Sequence, residues 1–221
     1  MARTLIRAGE FLIDQPVRFM NHRRWLRIIM AGMDQAYADD LIRRVAAKAA
    51  AEHSSRRPPA SESDLARAEE SLGFRLHPLL RRLYSEVADG GFGPEYTLYP
   101  LAAAVLRTTA MASRAPADLR DGERLYWPFE AVAIMDWGCG MDAVLDCRSA
   151  EGTVLLVDPN PGLPDRAGEW FLDSESLAGW LESWLDGTGW YYGEDPDEMA
   201  ELRPWPQAVA RLTERNPKPP A

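Results

Sequence analysis

Three strand-length segments rich in branched residues, Val132–Trp137, Asp142–Cys147 and Thr153–Asp158, succeed one another across short gaps. The gaps, Gly138-Cys139-Gly140-Met141 and Arg148–Gly152, are turn-prone. Connections this brief join neighbouring antiparallel strands. The stretch therefore commits the chain to a meander, and every other element has to be placed around it. A loop with Pro159, Pro161, Gly162, Pro164 and Gly168 follows, then a brief strand over Glu169–Leu172.

On either side the hydrophobic period becomes that of a helix. Tyr37, Leu41, Ile42, Val45 and Ala49 form one stripe between Asp34 and His53. Ser54-Ser55-Arg56-Arg57-Pro58-Pro59 ends it, because two consecutive prolines forbid a helix across that point. Ser61 or Ser63 caps the next helix, with Leu65, Ala68 and Leu72 on one face and Gly73 at its stop. Pro78 opens another, which turns Leu79, Leu80, Leu83, Tyr84 and Val87 inward and ends at Gly90-Gly91. After the meander, Ser174 is the expected cap of a helix striped with Leu177, Trp180, Leu181, Trp184 and Leu185 and stopped by Gly187. Its two tryptophans read as core rather than as a ligand box. An aromatic-acidic patch at Trp190–Glu201, a short helix near Gln207–Glu214 and a Pro-rich end complete the chain.

Charge is distributed unevenly. The net charge is −9, yet residues 1–60 carry 11 Lys/Arg against 6 Asp/Glu, while Glu130–Glu201 carries 17 acids against Arg148 and Arg166. Such a field repels nucleic acid and anionic lipid and attracts basic partners. Residues 1–32 read either as a basic amphipathic arm for a membrane surface or a partner, or as residues upstream of a true start at Met33. No apolar run approaches the roughly 20 residues of a membrane span. The uncharged run Ile28–Met33 is shorter than the roughly 7–15 residues of a secretory signal. The expected compartment is the cytoplasm.

Candidate chemistry is sparse. Cys139 and Cys147, about 26 Å apart if the chain between them is extended, are too distant for a disulfide. With His22, His53 and His77 they show no zinc-ligand spacing. Cys139 between glycines has the look of a nucleophile on a turn, but the nearest histidine in sequence is His77. Gly90-Gly91-Phe92-Gly93-Pro94 lacks the preceding strand and the following Lys-Ser/Thr of a phosphate loop. Asp136, Asp142, Asp146 and Asp158 offer carboxylate pairs but no calcium-loop spacing. No catalytic residue, metal ligand or cofactor site is assigned.

Read in order, several pieces resemble the SUKH superfamily, which includes the yeast cell-wall-synthesis regulators of the Smi/Knr type and many bacterial immunity proteins. They are Glu69-Glu70-Ser71-Leu72-Gly73-Phe74-Arg75-Leu76, Leu79–Tyr84 and Asp89-Gly90-Gly91-Phe92-Gly93-Pro94. Asp136-Trp137-Gly138-Cys139-Gly140, Leu145-Asp146-Cys147, Gly152–Asn160 and the Ser-x-x-Leu-x-x-Trp-Leu pattern within Ser174–Gly187 continue the match. His77 stands where a proline is usual, and residues 101–125 are divergent. The resemblance implies an α+β domain, short helices packed on a largely antiparallel sheet, without catalysis or cofactor. It divides the chain into an N-terminal arm and helix (1–56), the SUKH-like domain (57–190) and a C-terminal tail (191–221).

The resemblance also implies an immunity protein that neutralises a cognate polymorphic toxin, a basic nuclease being electrostatically matched to an acidic binder. An intracellular adaptor of the same fold and a carboxylate-based hydrolase are the alternatives. If the first two strands pair across their four-residue turn, Val132, Ile134, Ala143, Leu145 and Cys147 share one face. Met135, Trp137, Asp142, Val144 and Asp146 then share the other. Trp137, Asp142 and Asp146 are the candidate partner contacts, and reversing both aspartate charges is expected to weaken binding without unfolding. The competing reading places Trp137 in the core beneath helices. Oligomeric state is left open.

Overall fold

The computed structural model describes residues 22–52, 56–113, 127–159, 166–192 and 203–214. The N-terminal arm as far as residue 21, the acidic stretch beyond Tyr192 as far as 202 and the Pro-rich end from 215 lie outside the described residues. The chain divides into two compact units, residues 1–37 and 38–221. Among the described residues are six α-helices and five strands: α1 (His22–Glu52), α2 (Glu62–Leu72), α3 (Pro78–Arg82), α4 (Leu101–Ser113), β1 (Ala131–Gly138), β2 (Met141–Asp146), β3 (Thr153–Val157), β4 (Trp170–Ser174), α5 (Leu177–Asp186), β5 (Arg203–Pro204) and α6 (Ala208–Thr213). The strands form one antiparallel sheet in sequence order, so the α+β arrangement and its meander are present.

Both faces of the sheet are covered, which is why the strands read as nearly continuous apolar runs. On one face Val132, Ile134, Met135, Trp137, Ala143, Leu145, Val154 and Leu156 form a core with residues of α1, α2, α3 and α5. Leu41, Ile42, Val45 and Ala49 of α1 join it, whereas Tyr37, expected on that stripe, is exposed. Trp180 and Trp184 are core residues, as their spacing suggests. On the other face Ala131, Ala133, Val144, Leu155, Val157 and Leu172 pack with Trp127, Trp170 and Trp205 and with Ala208 and Leu212 of α6.

Local signals explain most element ends. Ser61 is the N-cap of α2, and its hydroxyl and Asp64 form a reciprocal capping box; Gly73 closes the helix in the left-handed conformation. His77, where proline was the common residue, caps α3 by accepting the Leu79 N–H through Nδ1. α3 continues into a π-helical turn over Leu83–Val87. The cap of α5 is Ser176 rather than Ser174: its hydroxyl accepts from Gly179 N at 3.0 Å, while Ser174 still belongs to β4. Gly90, at φ +70°, lies so close to the next segment that a Cβ would stand 2.4 Å from the Tyr99 carbonyl oxygen.

α4 occupies part of the divergent 101–125 segment, where no element was expected. Its sequence is apolar nearly all round, which hides a helical stripe. Together with Tyr99 it covers the outer edge of β1. The Thr108 hydroxyl accepts the Ala133 N–H at 2.9 Å, and Tyr99 N–H donates to the Ile134 carbonyl at 2.8 Å. At the opposite edge β5 is two residues long and contains Pro204. Neither edge is therefore left as a long open template for another strand.

Candidate partner-binding surface

β1 is not a regular strand, and this decides what its end displays. Its pairing with β2 slips between Ala133 and Met135 and again between Asp136 and Gly138. Each slip inserts a residue and reverses the alternation of faces. Met135 and Trp137 consequently join Val132 and Ile134 on the face covered by α1, α3 and α5. This corrects the expected face that grouped Met135 and Trp137 with Asp142, Val144 and Asp146. The other expected face, Val132, Ile134, Ala143 and Leu145 with Cys147 packed alongside, is as read from the sequence.

All three candidate contact residues are inside. Trp137 is 5% exposed, Asp142 0% and Asp146 3%. Asp142 is gripped by Arg107 of α4, whose Nε and Nη2 donate at 2.9 and 2.6 Å, with the Tyr99 hydroxyl a third donor at 3.4 Å. Asp146 receives Arg211 of α6 through Nη1 at 2.7 Å and Nη2 at 3.0 Å, and the Arg148 N–H at 3.0 Å. The two carboxylates, four residues apart on β2, are therefore forks that fasten α4 and α6 to the sheet. Reversing their charges would set cations against Arg107 and Arg211 in the interior. It would disturb the fold before any contact.

Trp137 instead underlies a surface. Tyr96 stands edge-on to it at 6.1 Å between ring centroids, while Trp190 and Tyr191 lie tilted against it at 5.0 Å each. Tyr192 lies tilted against Tyr191 at 4.7 Å. The outer members of this cluster face water: Tyr96 is 55% exposed and Tyr192 46%. Carboxylates border it. Glu95 is exposed beside Tyr96, and Asp136 accepts the N–H of Gly138, the glycine that lies against the Tyr96 ring. Partial burial holds the Tyr192 hydroxyl above its ordinary pKa, with Glu52 and Glu95 adding to the rise and Lys48 opposing it.

The aromatic arm has an internal clamp. Asp173, at a bulge in β4, accepts the indole N–H of Trp180 through Oδ2 and that of Trp190 through Oδ1, both at 3.0 Å. Burial pushes its carboxyl up to about 6, against the opposing pull of the two indole donors. The sequence marked Trp190–Glu201 as aromatic and acidic. It could not show that Tyr96, about forty residues before Trp137, and Trp190, about fifty after it, meet on that one ring.

The remaining sequence candidates resolve differently. His77 lies beside Cys147, not Cys139; its Nδ1 accepts from Leu79 N and its Nε2 is 3.1 Å from the Ala150 carbonyl, so both nitrogens are committed. Burial pushes the Cys147 thiol up to about 12, far from a thiolate. Cys139 is exposed at the tip of the β1–β2 turn, and neither cysteine forms a disulfide. The glycine-rich run is a turn in which Gly91 N donates to Leu98 O and Leu98 N to Phe92 O. Among the described residues no group of three or more His, Cys, Asp or Glu is placed to hold a metal ion. A polar cavity of about 280 Å³ beside Asp146 contains Arg148 and Arg211, but these already pair with Glu214 and Asp146. Among the described residues no helix is long and apolar enough to cross a membrane.

Comparison with known families gives a match. Residues 59–183, more than half of the chain, match the SMI1 / KNR4 family (SUKH-1). No curated protein matches the sequence.

Proposed function

We propose that this chain, which belongs to the SMI1 / KNR4 family (SUKH-1), is a non-catalytic binding domain that neutralises a cognate basic toxin, a nuclease being the best-fitting class. The observation that carries the reading is the surface over Trp137. Two tyrosines stand exposed on a buried aromatic base, and the acids at its border leave it open to a cationic protein. Tyrosine and tryptophan on a rigid support supply contact area at little entropic cost. The acid surplus of Glu130–Glu201 extends the same sign of charge and steers a basic partner toward it. In this reading residues 57–190 are the binding domain. Trp137 acts from beneath the surface, and Asp142 and Asp146 hold the helices that frame the sheet.

The test is capture of partners by the tagged full chain from its own cells at low and high salt, followed by purification of each captured protein. A single basic protein whose nuclease activity is abolished by an equimolar amount of this chain, and whose binding loosens with salt, supports the reading. Housekeeping or envelope proteins with no activity to inhibit would overturn it in favour of an adaptor.

A further inference from the structure

We propose that the surface built on Trp137 is an anchor site for an arginine side chain presented by a basic protein partner. The proposal rests on the reading of the chain as a protein-binding domain, and deepens it by naming the group the surface grips.

The chemistry comes from three features that meet at one end of the sheet. First, the exposed rings of Tyr96 and Tyr192 are supported by Trp137, Trp190 and Tyr191, so their positions are set before a partner arrives. Ring faces attract cations, and the planar guanidinium stacks on them with little loss of hydration. Second, Glu95 precedes Tyr96 and acts on Tyr192, and Asp136 holds the N–H of Gly138, the glycine beside the Tyr96 ring; the cation nearest Asp136, Arg107, is held by Asp142 at 2.6 Å. Asp136 spends one oxygen on the Gly138 N–H at 2.7 Å. Third, the cation that reaches Tyr192 from within the chain is already engaged: Lys48 pairs with Glu52 at 2.9 Å and lies 5.5 Å over the Trp184 ring. The surface thus offers stacking faces and carboxylates, and the chain's own cations within its reach, Lys48 and Arg107, are held by Glu52 at 2.9 Å and by Asp142 at 2.6 Å. An incoming guanidinium can use both at once, stacking on a tyrosine while donating to a carboxylate in fork geometry. A lysine ammonium is more strongly hydrated and cannot stack. Phosphate or carboxylate ligands meet like charge.

The experiment titrates the isotope-labelled full chain with the blocked peptide Gly-Arg-Gly-Arg-Gly, its lysine counterpart, its citrulline counterpart and a single-stranded oligonucleotide, following the Trp190 indole and the Gly138 and Gly140 amide resonances. The arginine peptide should shift these signals, the lysine peptide bind several-fold more weakly, and neutral citrulline at least tenfold more weakly. The paired variant Glu95→Gln with Asp136→Asn should cut arginine binding tenfold or more. Both changes are isosteric, and asparagine keeps the bond to Gly138, so an unchanged circular dichroism spectrum is expected. Equal binding of citrulline overturns the proposal. So do wild-type affinity in the paired variant, perturbation by the oligonucleotide, and arginine-induced shifts confined to other acidic regions. The two readings separate cleanly. If a toxin is captured and neutralised equally well by the paired variant, the anchor falls and the immunity reading stands; if the peptide binds as described but no captured protein is inhibited, the anchor stands alone.

Discussion

Asp146→Ala tests the claim that the β2 aspartates are structural forks. The wild-type carboxylate takes two hydrogen bonds from Arg211 and one from the Arg148 N–H. Arg211 is itself 7% exposed and, when the carboxylate is gone, keeps the Phe129 carbonyl at 2.7 Å and the Trp205 ring, 5.6 Å from its Cζ, but no counter-charge at this fork. Removing one member of such a buried pair leaves the other charge uncompensated and costs about 3–5 kcal/mol. Against a total stability of about 5–15 kcal/mol that is a large fraction. For a chain of this size it lowers Tm by about 6–20 °C. The comparison variant is Glu214→Ala, whose partner Arg148 is 39% exposed on its side chain, so the loss there should be at most about 1 kcal/mol. Asp146→Ala combined with Arg211→Met removes both charges and should recover most of the deficit, because an apolar pair carries no desolvation penalty. Urea unfolding followed by tryptophan fluorescence and far-ultraviolet circular dichroism measures all four proteins. A loss below about 1 kcal/mol in Asp146→Ala, or a double variant no more stable than that single one, would refute the argument.

Three further outcomes follow from the same geometry. Asp173 has its folded pKa raised to about 6 from an ordinary value of 3.8; the folded state holds the proton more tightly, so its contribution is favourable at low pH and is lost as pH rises from about 4 to 6. Wild type should lose about 1–3 kcal/mol over that window relative to Asp173→Asn, and identical pH profiles from urea titrations would contradict the assignment. Native alkylation with iodoacetamide at pH 8, read by mass spectrometry, should label exposed Cys139 and spare Cys147, whose thiol is pushed up to about 12; equal labelling would show that the pocket around His77 opens readily. Gly90→Ala forces a side chain into a left-handed position and against the Tyr99 carbonyl, so a loss of more than about 2 kcal/mol is expected, and a Tm within a degree or two of wild type would show that the turn relaxes.

The fold was largely legible because its signals are local. The meander follows from short gaps between apolar runs, and α2, α3 and α5 follow from a cap, a proline or a glycine at each end. Where the expectation slipped, a long-range contact outweighed a local one. Ser174 and Ser176 are both plausible caps by spacing, and the choice between them is made by β4, which claims Ser174 through its pairing with Val154. α4 packs Leu101, Ala104 and Thr108 inward against β1 and α2, but its outer face is apolar too, with Ala102, Leu106 and Ala110 exposed, and its Arg107 is drawn to an aspartate 35 residues away.

The candidate surface was half legible, and the missing half has a physical reason. An inserted residue in a strand costs little and leaves no compositional trace, yet it moves every later side chain to the opposite face. Strict alternation puts Trp137 on the face opposite Val132, with Asp142, and the slip after Ala133 puts it with Val132, Ile134 and Met135 instead. The aspartates then lose their aromatic neighbour and acquire arginines from α4 and α6, partners that no spacing in the sequence announces. Trp137 gains Tyr96 and Trp190, drawn from segments about forty and fifty residues away in opposite directions. The strand's register thus buries all three residues, the aspartates as anchors for α4 and α6 and Trp137 as the floor under exposed tyrosines. Acidity alone points to the wrong carboxylates for the same reason: the two acids of β2 are deeply buried and held by arginines, whereas Glu95 and Asp136, on which the proposed anchor draws, lie outside that strand.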